Sequence, residues 1–456
     1  MEVKNVLNIL TILCMFGLQC SCTEPYNHTN SGVPVVIPVG DERYLNEGSK
    51  VIFNQDTLHT FELRLSESAL DFLDDDPTAE KYVEGSLIFN GETISPVGIR
   101  YKGSIGAFVE SVSGRDWTKP SGRKIATKLS MKIKINWEDK GKTFYGLKKL
   151  QFHSQNLDPT QMHERLGYWL YREMGVSAPR SVHARLIING VYTGVYALTE
   201  QIDKQFVRSN YENTNGNLYK EVWPLKWRGG ANSEHAFIAG LKTNKGKKAS
   251  AHIMKSFADE LIASNEEDLQ GVIEKRMEID EIIAYAVVDR MIRNDDGAFH
   301  WYCDESGCGN HNYYWYEDPI SEKLYLIPWD LDNAFENIVH NVSPVTTIAD
   351  DWGEISHDCH RFPYGRYGIW QKSAACDKLT GGWASYTEEY DQRKSQFING
   401  PFSNAEVNAQ LDKWAEQIRE ATIEASMNHR DAISPEEWDK AIKKFKIDLE
   451  YARVKK

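Results

Sequence analysis

The sequence predicts an α+β protein of two lobes, β-rich first and mainly helical second, with a cleft between them. Three observations carry this. Up to about residue 222, apolar residues alternate with polar ones in short runs separated by turn signals. Beyond about residue 249 they recur at helical spacing in longer runs. Within the second half lies Asn294 to Phe335, where carboxylates and an amide sit between short aromatic-rich strands. The expected boundaries are a leader at 1–22, a tether at 23–45, a β-rich lobe with one helix at 46–222, and a helical lobe at 223–456 that contains the stretch 294–335.

Thr60 to Leu65 alternates cleanly and reads as a strand. Ser86 to Ile94 carries a hairpin signal at Asn90-Gly91, and Val97 to Gly103 follows. Lys128 to Asn136 is a strand with Leu129, Met131, Ile133 and Ile135 on one face and Lys128, Ser130, Lys132 and Lys134 on the other. A helix comes next, with Asp158 as its cap, Pro159 in its first turn and Gly175 at its end. Leu166, Trp169, Leu170 and Met174 form an apolar stripe, and Glu164, Tyr168 and Tyr171 lie nearly opposite. Glu164 then either faces something charged inside the protein or is a solvated carboxylate between two tyrosines. Ser181 to Gly190, with Asn189-Gly190 as turn, and Val195 to Glu200 resume the sheet, and Gly216 to Glu221 is a last strand or a hinge. Helices are expected at 249–262, 267–278, 281–293, 404–428 and 435–454, with 336–391 irregular and rich in Gly, Trp and Tyr.

The formal net charge is −13, which argues against nucleic acid as a partner, because phosphate backbones want a basic footprint. Val6 to Leu18 is a mostly apolar core of signal-peptide length after Lys4, too short and too interrupted for a membrane span. It ends in Leu18-Gln19-Cys20-Ser21-Cys22, similar to the lipobox of bacterial lipoproteins with Cys22 as acceptor. The expectation is export and anchoring to a membrane through lipid at the bacterial cell surface or periplasm; a plain cleaved signal is the alternative. Beyond the leader remain Cys303, Cys308, Cys359 and Cys376, an even number that permits two disulfides in an exported chain. The preferred pairing is Cys303–Cys308 and Cys359–Cys376, with a four-Cys zinc site as the competitor, disfavoured by the lack of a C-x-x-C pair.

Phosphoryl transfer asks for a carboxylate base, oxygen ligands for a divalent cation and a cation on the phosphates. Asp296 is the candidate base, and Asn312 and Asp330 are candidate metal ligands, with Asp332 to assist. Against these, Asn294-Asp295-Asp296-Gly297 also reads as a plain turn and His311-Asn312 as a strand start. Pro328 to Asp332 is harder to dismiss, because it puts carboxylates directly after an apolar strand, where burial without a cation or partner is costly. Lys128, Lys132 and Lys134 compete to clamp the phosphates, with Glu164 as holder of the lysine. Lys102-Gly103-Ser104 offers backbone amides to phosphate.

The segments IRYKGS (99–104), KLSMKIKI (128–135), HERLGYWLYREMGV (163–176), VYALTEQIDKQF (195–206), GNLYK (216–220), HNYYWY (311–316) and IPWDLDNAF (327–335) together resemble one family, the spore-coat protein H (CotH) kinases. These are atypical secreted or surface protein kinases, and the resemblance runs from about Ile99 to Phe335. It implies a protein-kinase-like two-lobed fold, ATP with Mg2+ or Mn2+ as cofactors, and an exported protein as substrate. It implies Asp296 as base, Asn312 and Asp330 as metal ligands, and Glu164 as partner of an N-lobe lysine, Lys128 as first choice and Lys132 second, with Lys220 in the matching GNLYK segment. Ser104-Ile105-Gly106 and Glu336 depart from the family's pattern. Two other readings stay open, a pseudokinase serving as a surface module and a calcium-stabilised adhesin using Asp295, Asp296, Asp330 and Asp332.

Overall fold

A computed structural model of the chain describes residues 48–455 apart from 117, 228, 306, 337, 339–358 and 365–368. The leader, the tether and Cys22 lie outside the described residues. Strands β1 (His59–Arg64), β2 (Val83–Phe89), β3 (Glu92–Tyr101), β4 (Met131–Lys134), β5 (Lys149–His153), β6 (Ser181–Ile188) and β7 (Val191–Thr199) close into a barrel in the order β1-β2-β3-β4-β5-β7-β6. The closing pair, β1 with β6, is parallel, from His59↔Ala184 to Leu63↔Ile188. The two Asn-Gly hairpins form as expected, with Asn90, Gly91, Asn189 and Gly190 all at positive φ. Leu129, Met131, Ile133 and Ile135 are fully buried in the barrel core with Phe61, Phe89 and Phe152. The paired part of that strand is shorter than the alternation suggests, only Met131–Lys134.

The helix His163–Glu173 begins later than expected. Asp158 uses one carboxylate oxygen on the Thr160 N–H and hydroxyl, at 2.8 and 2.6 Å. Its other oxygen accepts the His163 N–H at 2.8 Å, so it caps the helix across an intervening turn. Glu164, Tyr168 and Tyr171 are buried, as are Leu166 and Leu170 of the apolar stripe, so the solvated-carboxylate reading of Glu164 does not hold. The helix lies between β6 and the helix Ile279–Met291.

Seven further strands complete the fold: β8 (Asn217–Lys220), β9 (Trp301–Cys303), β10 (Cys308–Gly309), β11 (Tyr313–Glu317), β12 (Leu324–Pro328), β13 (Phe362–Tyr364) and β14 (Ile369–Lys372). β8 pairs with β11, which pairs with β12; the others form a sheet in the order β10-β9-β14-β13. Helices His252–Ala263, Glu266–Arg276, Ile279–Met291, Asn404–Asn428 and Pro435–Lys455 follow the expected spans within a few residues. The described residues of the stretch 336–391 are more regular than expected. It holds β13, β14, the helix Lys378–Ala384 and the start of the helix Thr387–Asn399. Asp377 caps Lys378–Ala384, and Gly382 lets it approach Ile273 and Leu269, where a Cβ would stand 2.5 Å from Ile273. Gly382, one of the glycines that suggest irregularity in the sequence, is therefore a helix-packing position. Disulfides Cys303–Cys308 and Cys359–Cys376 are both present, so these cysteines do not form a zinc site. Among the described residues no helix is long and apolar enough to cross a membrane.

The C-terminal helices return to the barrel. The Tyr192 hydroxyl donates to Ala421 O at 2.9 Å, Arg185 meets Glu424 at 2.7 Å, and the Trp438 indole N–H donates to Thr160 O at 3.0 Å. β8 reaches β11 through an equally close contact at Gly216, where a Cβ would lie 2.0 Å from Glu317 O. Gly216→Ala is expected to destabilise the protein by about 1–3 kcal/mol through forced separation of these backbones, read as a lower midpoint in thermal melting. An unchanged midpoint would show that the strands separate freely.

Candidate functional site

The antiparallel register of β11 and β12 ends at Tyr313↔Pro328. The residues just beyond that last pair are Asn312 on one strand and Trp329-Asp330 on the other, so a distant amide and carboxylate become neighbours. The Trp329 N–H donates to Asn312 O at 3.1 Å, and the Asp330 N–H to the Tyr168 hydroxyl at 3.0 Å. Asn312 and Asp330 both adopt left-handed backbone, at φ 56° and 57°, a conformation that Asn and Asp tolerate better than most residues. Leu331 is fully buried, where it faces Gly167. The Asn312 side-chain N–H donates to Asp296 Oδ2 at 2.6 Å, which brings the third polar residue into the group.

This group forms one wall of a cleft of about 440 Å3. Of the expected site residues, Lys102, Gly103, Lys132, Glu164, Lys220, Asp296, Asp330 and Asp332 line it, and Asn312 reaches it through Asp296. Lys128, the first choice as phosphate clamp, does not. Its ammonium donates to Val195 O at 3.0 Å and stands over the Tyr196 ring, in a separate cavity of about 430 Å3. Alternation places Lys128 and Lys132 on the same face of the strand, but the segment Gln155–Asp158 stands between the two cavities and borders both. The Gly103 N–H is committed to Glu80 Oε1 at 2.9 Å. Gly103 is at φ 155°, where an added Cβ would meet Ala107 at 2.3 Å. Lys220 pairs with Glu221 at 3.3 Å.

The barrel wall holds a residue that sequence reasoning missed. Glu164 touches no lysine directly among the described residues. His153, the last residue of β5, stands between: its Nδ1 is 2.7 and 2.8 Å from the two Glu164 oxygens, and its Nε2 is 2.5 Å from the Lys102 ammonium. The Thr199 hydroxyl donates to Glu164 Oε1 at 3.0 Å. In the sequence His153 is one polar residue at a strand end, with no spacing to mark it.

Burial raises Asp296, Asp332 and Glu164. Asp332 is held well above the usual carboxylate range by burial, then by Asp330 and Glu164. Asp296 is pushed up to about 7 by burial and Asp330, against the Asn312 hydrogen bond. Glu164 is raised by burial and Asp330, opposed by Lys102 and Thr199. On the basic side, burial lowers Lys132 to about 7, helped by Lys102. Lys102 is lowered by burial against the pull of Asp330, Glu164 and Asp332.

No cation lies in ion-pair range of the Asp330 or Asp332 carboxylates among the described residues. Nor do three His, Cys, Asp or Glu side chains there form a chelating group. What the cleft offers is two carboxylates and an amide oxygen beside like charge, a partial oxygen set that suits a hard divalent cation sharing its remaining positions with water and phosphate.

A profile of the family described as CotH kinase protein matches residues 99–447, and the chain belongs to this family. The match extends past Phe335, where the motif resemblance stops, and takes in the helix Asn404–Asn428. Inner spore coat protein H of Bacillus subtilis (strain 168) is 19% identical over 204 residues, covering 44% of this chain and 53% of that protein. The chain thus spans about half the length of this curated relative.

The acidic wall predicts an unusual mutational sign. Asp296 has a folded value of about 7 against an ordinary 3.8, so its contribution is present at low pH and is lost as pH rises through that interval. Asp332→Asn removes a carboxyl whose ionisation is opposed by burial and by Asp330 and Glu164. It is expected to raise the melting midpoint of metal-free protein, by about 1 kcal/mol of stability at neutral pH, with the gain shrinking toward pH 4. A loss of stability at pH 7 would contradict the charge-repulsion account.

Proposed function

We propose that the chain is an exported protein kinase that transfers the γ-phosphoryl group of ATP to Ser or Thr of an exported protein. The observation that carries this reading is the meeting of Asp296, Asn312, Asp330 and Asp332 on one wall of a cleft whose other wall presents Lys102. Family membership supports kinase-like chemistry in general, and two disulfides suit an oxidising compartment. Anchoring through Cys22 at the bacterial cell surface or in the periplasm completes the proposal.

In this reading Asp296 accepts the proton of the acceptor hydroxyl. A value near 7 suits a group that must gain and lose a proton at neutral pH, and the Asn312 amide keeps the carboxylate oriented. Lys102 provides N–H donors to phosphate oxygens, with Lys132 and Lys220 adding positive potential along the cleft. Asp330, Asp332 and the Asn312 amide oxygen would hold Mg2+ or Mn2+, which supplies neutralisation of phosphate charge when bound. A second reading, a pseudokinase that binds nucleotide as a surface module, draws support from the commitment of the Gly103 N–H to Glu80.

The test incubates purified residues 23–456 with γ-labelled ATP, Mg2+ or Mn2+ and an extract of exported proteins, beside Asp296→Asn and Asp330→Ala. Transfer is expected to fall by at least about 100-fold in both variants. Nucleotide binding without transfer in the parent protein would favour the pseudokinase. Stabilisation by Ca2+ and none by ATP would favour the adhesin.

A further inference from the structure

We propose that His153 is a positioning residue that carries the hold of Glu164 to Lys102, so that carboxylate, imidazole and ammonium act as one unit in presenting Lys102 to the cleft. The inference rests on the reading of the cleft as a nucleotide site.

With Glu164 ionised and Lys102 charged, the hydrogen count permits one arrangement. Nδ1 faces two carboxylate oxygens at 2.7 and 2.8 Å and so carries the hydrogen. Nε2 faces an ammonium at 2.5 Å, which has only hydrogens to offer, and so presents a lone pair. A single neutral tautomer satisfies both neighbours, as when a ligand imidazole is oriented by a carboxylate behind it. Protonation would aim an N–H at the ammonium, and burial together with Lys102 holds His153 well below the ordinary histidine range.

The unit is fixed from several sides. The Lys102 N–H donates to Ser130 O at 2.8 Å, and His153 pairs with Ala197 across β5 and β7. The Ser181 and Thr199 hydroxyls are 2.9 Å apart, with Thr199 bonded on to Glu164. The Trp329 ring meets His153 edge-on at 5.8 Å and lies under the Lys102 ammonium at 5.4 Å. Trp329 immediately precedes Asp330, so the same contacts that position the lysine also join the barrel wall to the acidic wall. A direct lysine–carboxylate pair would draw the ammonium toward the helix. The interposed ring holds it one imidazole width farther out, over Trp329 and toward Asp330.

The test is a double-mutant cycle on affinity for the nucleotide probe Mg2+–ATP, with His153→Ala, Glu164→Gln and the pair, alongside Lys102→Met. Each single variant is expected to weaken binding by about tenfold, and the double variant no further than either alone, because the carboxylate acts only through the ring. His153→Gln, which cannot span both neighbours, is expected to fail to rescue. Additive losses, or unchanged affinity in His153→Ala, would overturn the relay. A second measurement in the parent protein needs no nucleotide and no destabilising change. Nitrogen-15 NMR of labelled histidines should find His153 as the neutral Nδ1–H tautomer from pH 6 to 8, with the Nε2 signal shifting in Lys102→Met. A protonated ring or an Nε2–H tautomer would overturn the proposal. Absence of nucleotide binding by the parent protein with the expected NMR signature would sink the nucleotide reading and leave the positioning unit standing.

Discussion

Confinement of like charge is the constraint on which the cleft depends. Asp296, Asp330 and Asp332 are drawn together by the end of one antiparallel strand pair and by one amide hydrogen bond. Isolated buried carboxylates are strongly disfavoured, and grouping them raises each other's proton affinity. An arrangement of this kind persists only where the surrounding structure overdetermines it. Here the surroundings are Leu331 seated beside Gly167, the Tyr168 hydroxyl under the Asp330 N–H, and left-handed backbone at Asn312 and Asp330. The cost is consistent with a site built for a positively charged occupant.

The opposite wall meets the same constraint by different means. Lys102 and Lys132 are half-buried cations on the same wall, and each is depressed. A neutral imidazole between Lys102 and Glu164 spares the ammonium a second full charge at contact distance while still ordering it. The two walls are then tied by elements remote in sequence. β8 leaves the barrel region to pair with β11. The C-terminal helices bond back to β6, β7 and the turn before the Glu164 helix. A family match reaching residue 447 agrees with this, because the barrel packs against the last helices as directly as against the segment that carries the acids.

Much of this was legible beforehand. Alternation at 128–136 identified the inward residues correctly, two Asn-Gly pairs marked their hairpins, and an even set of cysteines in two local pairs foretold both disulfides. The helices were read within a few residues where their apolar spacing was regular. Legibility failed where one local pattern serves two structural ends. Asp158 looks like an adjacent cap and instead acts across a turn; the glycine-rich stretch 336–391 reads as irregular, yet its Gly382 is a helix contact. Lys128 and Lys132 share a strand face, yet open into different cavities.

What the sequence by itself determined were properties set by neighbours along the chain: periodicity, turns, the grouping of cysteines, and the polar residues flanking β11 and β12. Only the tertiary structure decided which lysine faces the acids and how Glu164 reaches it. Those outcomes depend on closure of the barrel, on the segment Gln155–Asp158 that divides two cavities, and on a histidine brought beside Lys102 from across the sheet. They are meetings of residues distant along the chain, and no local spacing encodes the angle at which two such segments meet.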